Sequence, residues 1–265
     1  PCILYYCGIL DLLKQISLAV VGARKATAYG LKQARSLSGE LAKHGLTIVS
    51  GLARGIDAAA HEGALEVGGH TIAVLGCGLD ICYPRENIRL LQKIKKSGLA
   101  ISEYPPGTGP LSHNFPIRNR IISGISQAVF VVEARAKSGS LITCDYALEQ
   151  GKDIFALPGP VTSPNSIGTL RLIQNGAKLV IHAGDILEEL GYTFQDSLLS
   201  ERKEMTKSVS KSEEKVLELI GWEPVHIDTL LSKAISATTT VYQELLQLEI
   251  KGLIKQLPGK YYVRI

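Results

Sequence analysis

The sequence predicts an α/β protein: a Rossmann-like, doubly wound, mostly parallel sheet followed by a small C-terminal winged-helix domain. Three observations carry this. From residue 17 to about 190, short β-branched runs alternate with helix-length amphipathic stretches. The strand candidates are apolar on consecutive positions, as strands buried on both faces are. After a polar stretch, three short helical patterns and a hairpin signal close the chain.

In chain order, strands are expected at 18–21, 47–49, 71–75, 99–102, 128–133, 153–157 and 178–181. Helices are expected at 29–44, 56–67, 86–97, 140–150 and 168–175, and Gly45, Gly98, Gly151 and Gly176 follow four of them in the C-cap position. Residues 195–212, rich in Ser, Lys and Glu without an apolar period, read as a linker. Beyond it, 213–220, 227–233 and 237–251 read as helices, and 252–265, with Pro258-Gly259 at the turn, as a hairpin. The domain expectation is thus 1–16 as the remnant of an N-terminal segment, 17–194 as a Rossmann-like domain, 195–212 as linker and 213–265 as a winged-helix-like domain.

Composition narrows the class. With 265 residues, 45% hydrophobic and 20% charged, the chain has ordinary globular composition, which excludes wholesale disorder. Its apolar runs are too short to span a bilayer, and no basic flank with an apolar run and cleavage site marks a secretory signal. The chain opens on Pro1, so its own N-terminus is expected upstream. Cys2, Cys7, Cys77, Cys82 and Cys144 form no C-x-x-C pair and are odd in number. This argues against a disulfide framework or zinc site and for a reducing, cytoplasmic compartment. The net charge of +4 permits a polyanion partner without requiring one.

In an open parallel sheet, ligands sit beyond the carboxyl ends of the strands. There the first strand ends in Gly22-Ala23-Arg24, and the second runs into Ser50-Gly51-Leu52-Ala53-Arg54-Gly55-Ile56-Asp57. The fifth ends at Glu133 and is followed by Lys137-Ser138-Gly139-Ser140, opening a helix. Glycine lets a backbone approach a phosphate, N–H groups at a helix start point at the anion, and Arg54 and Lys137 supply charge. Ser138 and Ser140 are hydroxyl donors, with Ser140 alternatively a helix cap. Between the fourth and fifth strands, Arg118 and Arg120 stand two apart in FPIRNRII (115–122) and on a helix point in different directions. Either one reaches the ligand edge while the other pairs with Glu103 or Glu133, or both brace the sheet edge. No G-x-G-x-x-G follows the first strand and there is no Walker A sequence, so no cofactor is expected.

These motifs, SGLARGID (50–57), TIAVL (71–75), FPIRNRII (115–122), KSGSLIT (137–143) and ALPG (156–159), resemble the DNA-processing protein family (DprA, also called Smf) from about residue 17 to 184. The resemblance implies a bacterial cytosolic protein that binds incoming single-stranded DNA in natural transformation, protects it, and helps load the RecA recombinase. It also implies a homodimer formed through the Rossmann-like domain, no membrane partner, and a basic pocket centred on Arg54 and Lys137 with neighbouring glycines and serines. Near Gly168 this chain departs from the family pattern: Leu170 stands where asparagine is usual, and Arg171 is the adjacent cation. The N-terminal segment often seen in the family is absent or reduced to residues 1–16.

Two expectations compete with DNA binding by the large domain alone. Residues 236–250, the would-be recognition helix, hold Glu244 and Glu249 but no Lys or Arg, which speaks against major-groove reading and for protein interaction or a weak auxiliary DNA contact by this module. The other competitor is a nucleotide-binding enzyme of the phosphoribohydrolase type, with Glu133, Glu103 or Asp57 as its acid. Its P-G-G-x-G-T-x-x-E loop is missing, since Pro158-Gly159-Pro160 breaks it. His61 reads as a packing residue, His113 and His182 lack ligand-spaced partners, and the chain is therefore read as non-enzymatic.

Overall fold

An eight-stranded sheet organises the first of two units, Pro1–Thr193. Its strands are β1 (Tyr5–Gly8), β2 (Ser17–Val21), β3 (Thr47–Ser50), β4 (Thr71–Leu75), β5 (Leu99–Ser102), β6 (Ala128–Val131), β7 (Asp153–Ala156) and β8 (Lys178–Leu179). The computed structural model describes residues 1–191, 210–233 and 238–264. Every residue of β2 to β6 is buried, which is why these runs do not alternate. The order is β1-β5-β4-β3-β2-β6-β7-β8, parallel throughout except for β1. The chain therefore leaves β2 on one side through β3 and returns on the other through β6, a topological switch point.

Helices α1 (Ala28–Lys43), α2 (Ile56–Glu66), α3 (Ile88–Ser97), α4 (Asn114–Gly124), α5 (Gly139–Glu149), α6 (Ile167–Gln174) and α7 (Ala183–Glu189) complete the unit. Side chains alternate faces along each strand. Val74 and Ile101 pack with Ile121 and Ile122 of α4 and Cys144 and Ala147 of α5. Their strand neighbours Ala73, Leu75 and Ala100 pack on the opposite face with Leu90, Leu91 and Ile94 of α3.

Several local expectations need correction. Within residues 1–16, Tyr5–Gly8 forms a strand of the sheet: it pairs antiparallel with β5, from Tyr5↔Ser102 to Gly8↔Leu99. Helix α4 escaped the periodicity because Pro116 falls in its first turn, where a helix tolerates it. The expected third helix begins at Ile88, after a 3-10 turn over Arg85–Asn87. Gly98 does not take the left-handed cap conformation; it is extended, with no room for a Cβ against the Thr71 carbonyl.

The second unit, Phe194–Ile265, contains α8 (Lys211–Leu219), β9 (Val225–His226), α9 (Ile227–Lys233), α10 (Thr238–Ile250), β10 (Ile254–Leu257) and β11 (Tyr261–Arg264). Strands β10-β11-β9 form an antiparallel sheet beside the helices, a winged-helix arrangement. Val216, Leu230, Val241, Leu245, Ile254 and Tyr262 share its core. Ser210 caps α8 reciprocally with Glu213, and Lys251 Nζ reaches Glu213 Oε2 at 2.7 Å, tying the end of α10 to the start of α8. The linker expected at 195–212 lies outside the described residues except for 210–212. Among the described residues, no helix is long and apolar enough to cross a membrane.

Candidate nucleic-acid interface

Where the carboxyl ends of β2 and β6 meet, a cleft of 510 Å³ opens. Its walls come from the loop after β2 (Gly22 to Lys25), the start of α2, the first half of α4, and the segment from Arg135 to Ser140. Arg24, Lys25, Arg135 and Lys137 all line it and all are exposed. Among the described residues, no carboxylate forms an ion pair with any of the four. Val21, Phe115, Pro116 and Ile122 give the same cleft an apolar side.

A buried carboxylate organises the cationic wall. Glu133 follows β6 and is 4% exposed. It accepts hydrogen bonds from Thr27 N–H (3.0 Å), Thr27 Oγ1 (2.5 Å) and Asn165 Nδ2 (3.2 Å). Thr27 in turn caps α1 by accepting from Gly30 N–H, so an anion sits at the positive end of that helix. Asn165 also donates to the Lys25 carbonyl (2.9 Å) and accepts from Arg135 Nε (2.9 Å). Through these bonds one buried amide sets the spacing of the two loops that carry the exposed cations.

The loop at 50–57 is braced from below. Arg118 is 4% exposed and donates from Nη1 to the Gly51 carbonyl (2.9 Å) and to that of Val74. Asp57, also buried, accepts from Gly51 N–H at 3.1 Å. Burial raises the Asp57 pKa, with Arg118 opposing, and burial lowers that of Arg118 to about 10. Leu52 holds a left-handed φ of 55° while fully buried, and Asn87 Nδ2 donates to the Leu52 carbonyl at 2.9 Å.

The candidate residues fall into distinct places. Gly22, Arg24, Lys137, Ser138, Gly139 and Ser140 line the cleft. Ser138, rather than Ser140, caps α5, with its Oγ accepting from Ser140 N–H. Arg54 lines a small adjoining notch with Arg24, Gly51, Tyr83 and Phe115, and it is not a free cation: Glu86 pairs with it. Ser50 is fully buried and donates to the Val20 carbonyl, joining β3 to β2. Arg120 pairs with Glu103 at 2.5 Å. Arg118, although buried, also lines the cleft while its guanidinium braces the loop at Gly51, and Arg120 braces the sheet edge. Arg171 is exposed on α6, outside the cleft lining.

The glycines need a different explanation from close approach to a ligand. A Cβ on Gly22 would meet Ile56 Cγ1 at 2.7 Å, and one on Gly51 would meet Arg118 Nη2 at 2.5 Å. Gly55 has a φ of 75° and no room against the Ala23 and Arg24 carbonyls. All three are required by internal packing; Gly139 alone of this set faces open space.

Lys25, Arg135, Asn165, Glu86 and Tyr83 were not singled out from the sequence. Lys25 and Arg135 were visible in principle, since each follows within four residues of a strand end. The roles of Asn165 and Glu86 arise only from contacts across 30 residues or more. Among the aromatic side chains near the strand ends, Phe115 lines the cleft, with its ring 5.3 Å from Tyr83 and under Arg24 at 5.5 Å. Tyr29 and Tyr104 instead donate to backbone carbonyls, of Pro158 and Asn114. His61 is buried against Thr71 (2.6 Å), a packing residue.

Fold and site together define a Rossmann-like protein with a cationic cleft at its topological switch point, joined to a winged-helix module. Residues 1–191 match the family described as DNA recombination-mediator protein A, and residues 201–260 match the DprA winged helix domain. The chain belongs to this DNA-processing protein A (DprA/Smf) family. It is 50% identical over 192 residues to DNA processing protein DprA of Streptococcus pneumoniae, covering 72% of this chain and 68% of that protein. With Protein Smf of Escherichia coli it shares 42% identity over 269 residues, 98% of this chain and 71% of the other. The X-ray structure of the Streptococcus pneumoniae protein superposes with a TM-score of 0.68 at 49% identity, over 72% of this chain and 67% of that one. A solved structure of Helicobacter pylori DNA processing protein A, described as having a unique single-stranded DNA binding mode, gives 0.66 at 35% identity, over 71% and 86%.

Proposed function

We propose that this chain binds single-stranded DNA in the cleft between β2 and β6 and acts by binding rather than by catalysis. The observation that carries the reading is the convergence of Arg24, Lys25, Arg135 and Lys137, without acidic partners among the described residues, on one half-apolar cleft. Cations neutralise successive phosphates and release counterions, and Phe115 with its apolar neighbours offers a surface for bases. The N-terminus of α5, opened by Ser138 and Gly139, adds backbone N–H groups to the same wall. Gly22, Ser138, Gly139 and Ser140 belong to the contact surface. Arg54 contributes from the adjoining notch, Gly51, Gly55, Ser50, Arg118 and Arg120 shape the loops, and Arg171 is an outlying cation.

In this reading the protein protects incoming strands and helps load the RecA recombinase in natural transformation and homologous recombination, in the cytoplasm. Membership of the recombination-mediator family and the single-strand binding of the Helicobacter pylori relative support it. A homodimer through the Rossmann-like unit would double the length of strand held. The outer edge of β8 and the residues just after it, where Leu179 is 41% and Ile181 71% exposed, suit such a contact. A linker over 195–212 separating domains 17–194 and 213–265 completes the proposal.

The test is a salt titration of binding to single-stranded and duplex DNA of equal length, with the Arg135→Glu/Lys137→Glu double variant alongside. Expected are a steep salt dependence, a preference for the single strand, and loss of binding in a variant that melts like the parent. Unchanged binding in that variant overturns the site.

A further inference from the structure

We propose that the β10–β11 hairpin of the second unit is a separate contact for single-stranded nucleic acid, and that the neighbouring helix α10 is not a groove-reading element. The charges of this unit nearly cancel in sum, but the fold sorts them by element. Helix α10 carries Glu244 and Glu249 and no Lys or Arg, whereas residues 251–265 carry Lys251, Lys255, Lys260 and Arg264 and no acid. Lys251 is committed to Glu213. Lys255 and Lys260 are exposed, on the hairpin's first strand and at its turn, and no carboxylate among the described residues pairs with either of them or with Arg264.

Exposed rings accompany these cations. Arg264 lies over Trp222 at 5.8 Å, with Trp222 36% exposed. Tyr261, 42% exposed, meets His226 edge-on at 5.0 Å across the β11–β9 pair. The acids nearby are Glu249, whose Oε1 accepts from Gln256 N–H of β10 at 3.1 Å, Glu223, next to Trp222, and Asp228, whose carboxylate lies 3.3 Å from His226; none of the three forms an ion pair with the hairpin's cations.

Cations spaced along a backbone track, together with rings presented to solvent, are what an unpaired strand requires, because its bases are free to stack. A duplex hides its base faces and is read by a helix with cations and amide or guanidinium groups in the major groove. The solvent face of α10 offers Tyr242, Gln243, Leu246 and Gln247 but no cation to hold the backbones on either side. The site is distinct from the cleft and stands or falls without it.

The experiment exploits the fact that Trp222 is the chain's single tryptophan. The full chain is titrated with oligothymidylates, one short enough to fill a single cleft and one several times longer, while tryptophan emission and anisotropy of labelled DNA are read together. Expected is quenching of Trp222 by the long strand. Lys255→Glu/Lys260→Glu should abolish that quenching and weaken long-strand binding about tenfold, as loss of one of two linked contacts does. It should also flatten the salt slope by about 1.4, for two phosphates on a single strand. Tyr261→Ala should weaken binding in the same direction without altering the slope. Unquenched tryptophan with intact long-strand binding, or a hairpin variant with wild-type affinity and slope, overturns the proposal. So does duplex binding that falls as much as single-strand binding. An Arg135→Glu/Lys137→Glu variant that still binds normally refutes the cleft reading and leaves this one untouched.

Discussion

Glu86 holds Arg54 through two parallel hydrogen bonds, Nε to Oε1 at 2.7 Å and Nη2 to Oε2 at 2.9 Å. The hydrogen bond to Glu86 raises the Arg54 pKa further, so the guanidinium is charged, but its charge is already answered within the protein. Both side chains are more than half exposed, so the pair adds little to stability and exchanges readily with another anion. A phosphate reaching Arg54 trades places with a carboxylate rather than with a loosely held counterion. Glu86→Gln should therefore tighten single-strand binding several-fold and steepen its salt slope by about 0.7, one additional phosphate's worth. Anisotropy titrations at four or five salt concentrations check both values. By the same argument Arg54→Ala should cost less affinity than Lys137→Ala.

Arg118 should prove a structural residue. Replacing it by Met removes the donor to the Gly51 and Val74 carbonyls and leaves the buried Asp57 without its neighbouring cation. Leaving buried carbonyls without their donor costs about 1–3 kcal/mol for each unsatisfied group. Chemical denaturation should show that loss. Residual folded protein should retain the wild-type salt slope, because the Arg118 guanidinium is already engaged by the Gly51 and Val74 carbonyls.

A methyl group at Gly30 tests the Glu133 hub. A Cβ there would lie 2.6 Å from Glu133 Oε2 and 2.7 Å from Oε1, inside a carboxylate fixed by Thr27 and Asn165. Gly30→Ala would ordinarily favour a helix, so the expected destabilisation of about 1–3 kcal/mol reverses the usual sign. Weaker DNA binding should accompany it, through displacement of Asn165 and of Arg135. A variant as stable as the parent, with the same affinity, would show that Glu133 sets nothing.

Stability should also fall in mild acid. Burial pushes the His61 pKa down to about 3 from the ordinary 6.5. Between those values the unfolded chain binds a proton that the folded protein refuses, so stability rises with pH across that window. From pH 7 to pH 5 the loss from this group is about 2 kcal/mol at 1.36 kcal/mol per pH unit below 6.5. Asp57, whose pKa burial raises, acts with the opposite sign above 3.8. The difference between the parent and His61→Gln isolates the histidine: the variant should show a flatter profile between pH 5 and 7.

The second unit should loosen at lower pH. The hydrogen bond from Lys251, then that from Ser210 N–H, holds the Glu213 carboxyl below its ordinary 4.5. Its stabilisation is complete above 4.5 and disappears as pH falls through the lower folded value. Circular dichroism of Lys251→Ala against the parent should converge at low pH and separate near neutrality.

The sequence by itself determined the parallel sheet and the chain order of β2 to β8 with five of their helices, leaving β1, α4 and α7 to the structure, and it pointed to the edge where a ligand is expected. These rest on patterns within a single segment: consecutive apolar residues for strands buried on both faces, and glycine beside a cation where a strand gives way to a helix. They singled out Arg24 and Lys137, both of which line the cleft. Tertiary structure alone decided which cations are available. Arg54 and Lys137 look alike in their motifs, yet Glu86, 32 residues from Arg54, answers the first and nothing among the described residues answers the second. Arg118 was read as a possible contact and is buried because α4 lays it beneath the loop of Gly51, 67 residues away. Asn165 matters only because β7 lies beside β6 and delivers it between Lys25 and Arg135. Periodicity is set by the backbone and is local, whereas the pairing of charges depends on which segments the sheet order brings within a few ångströms.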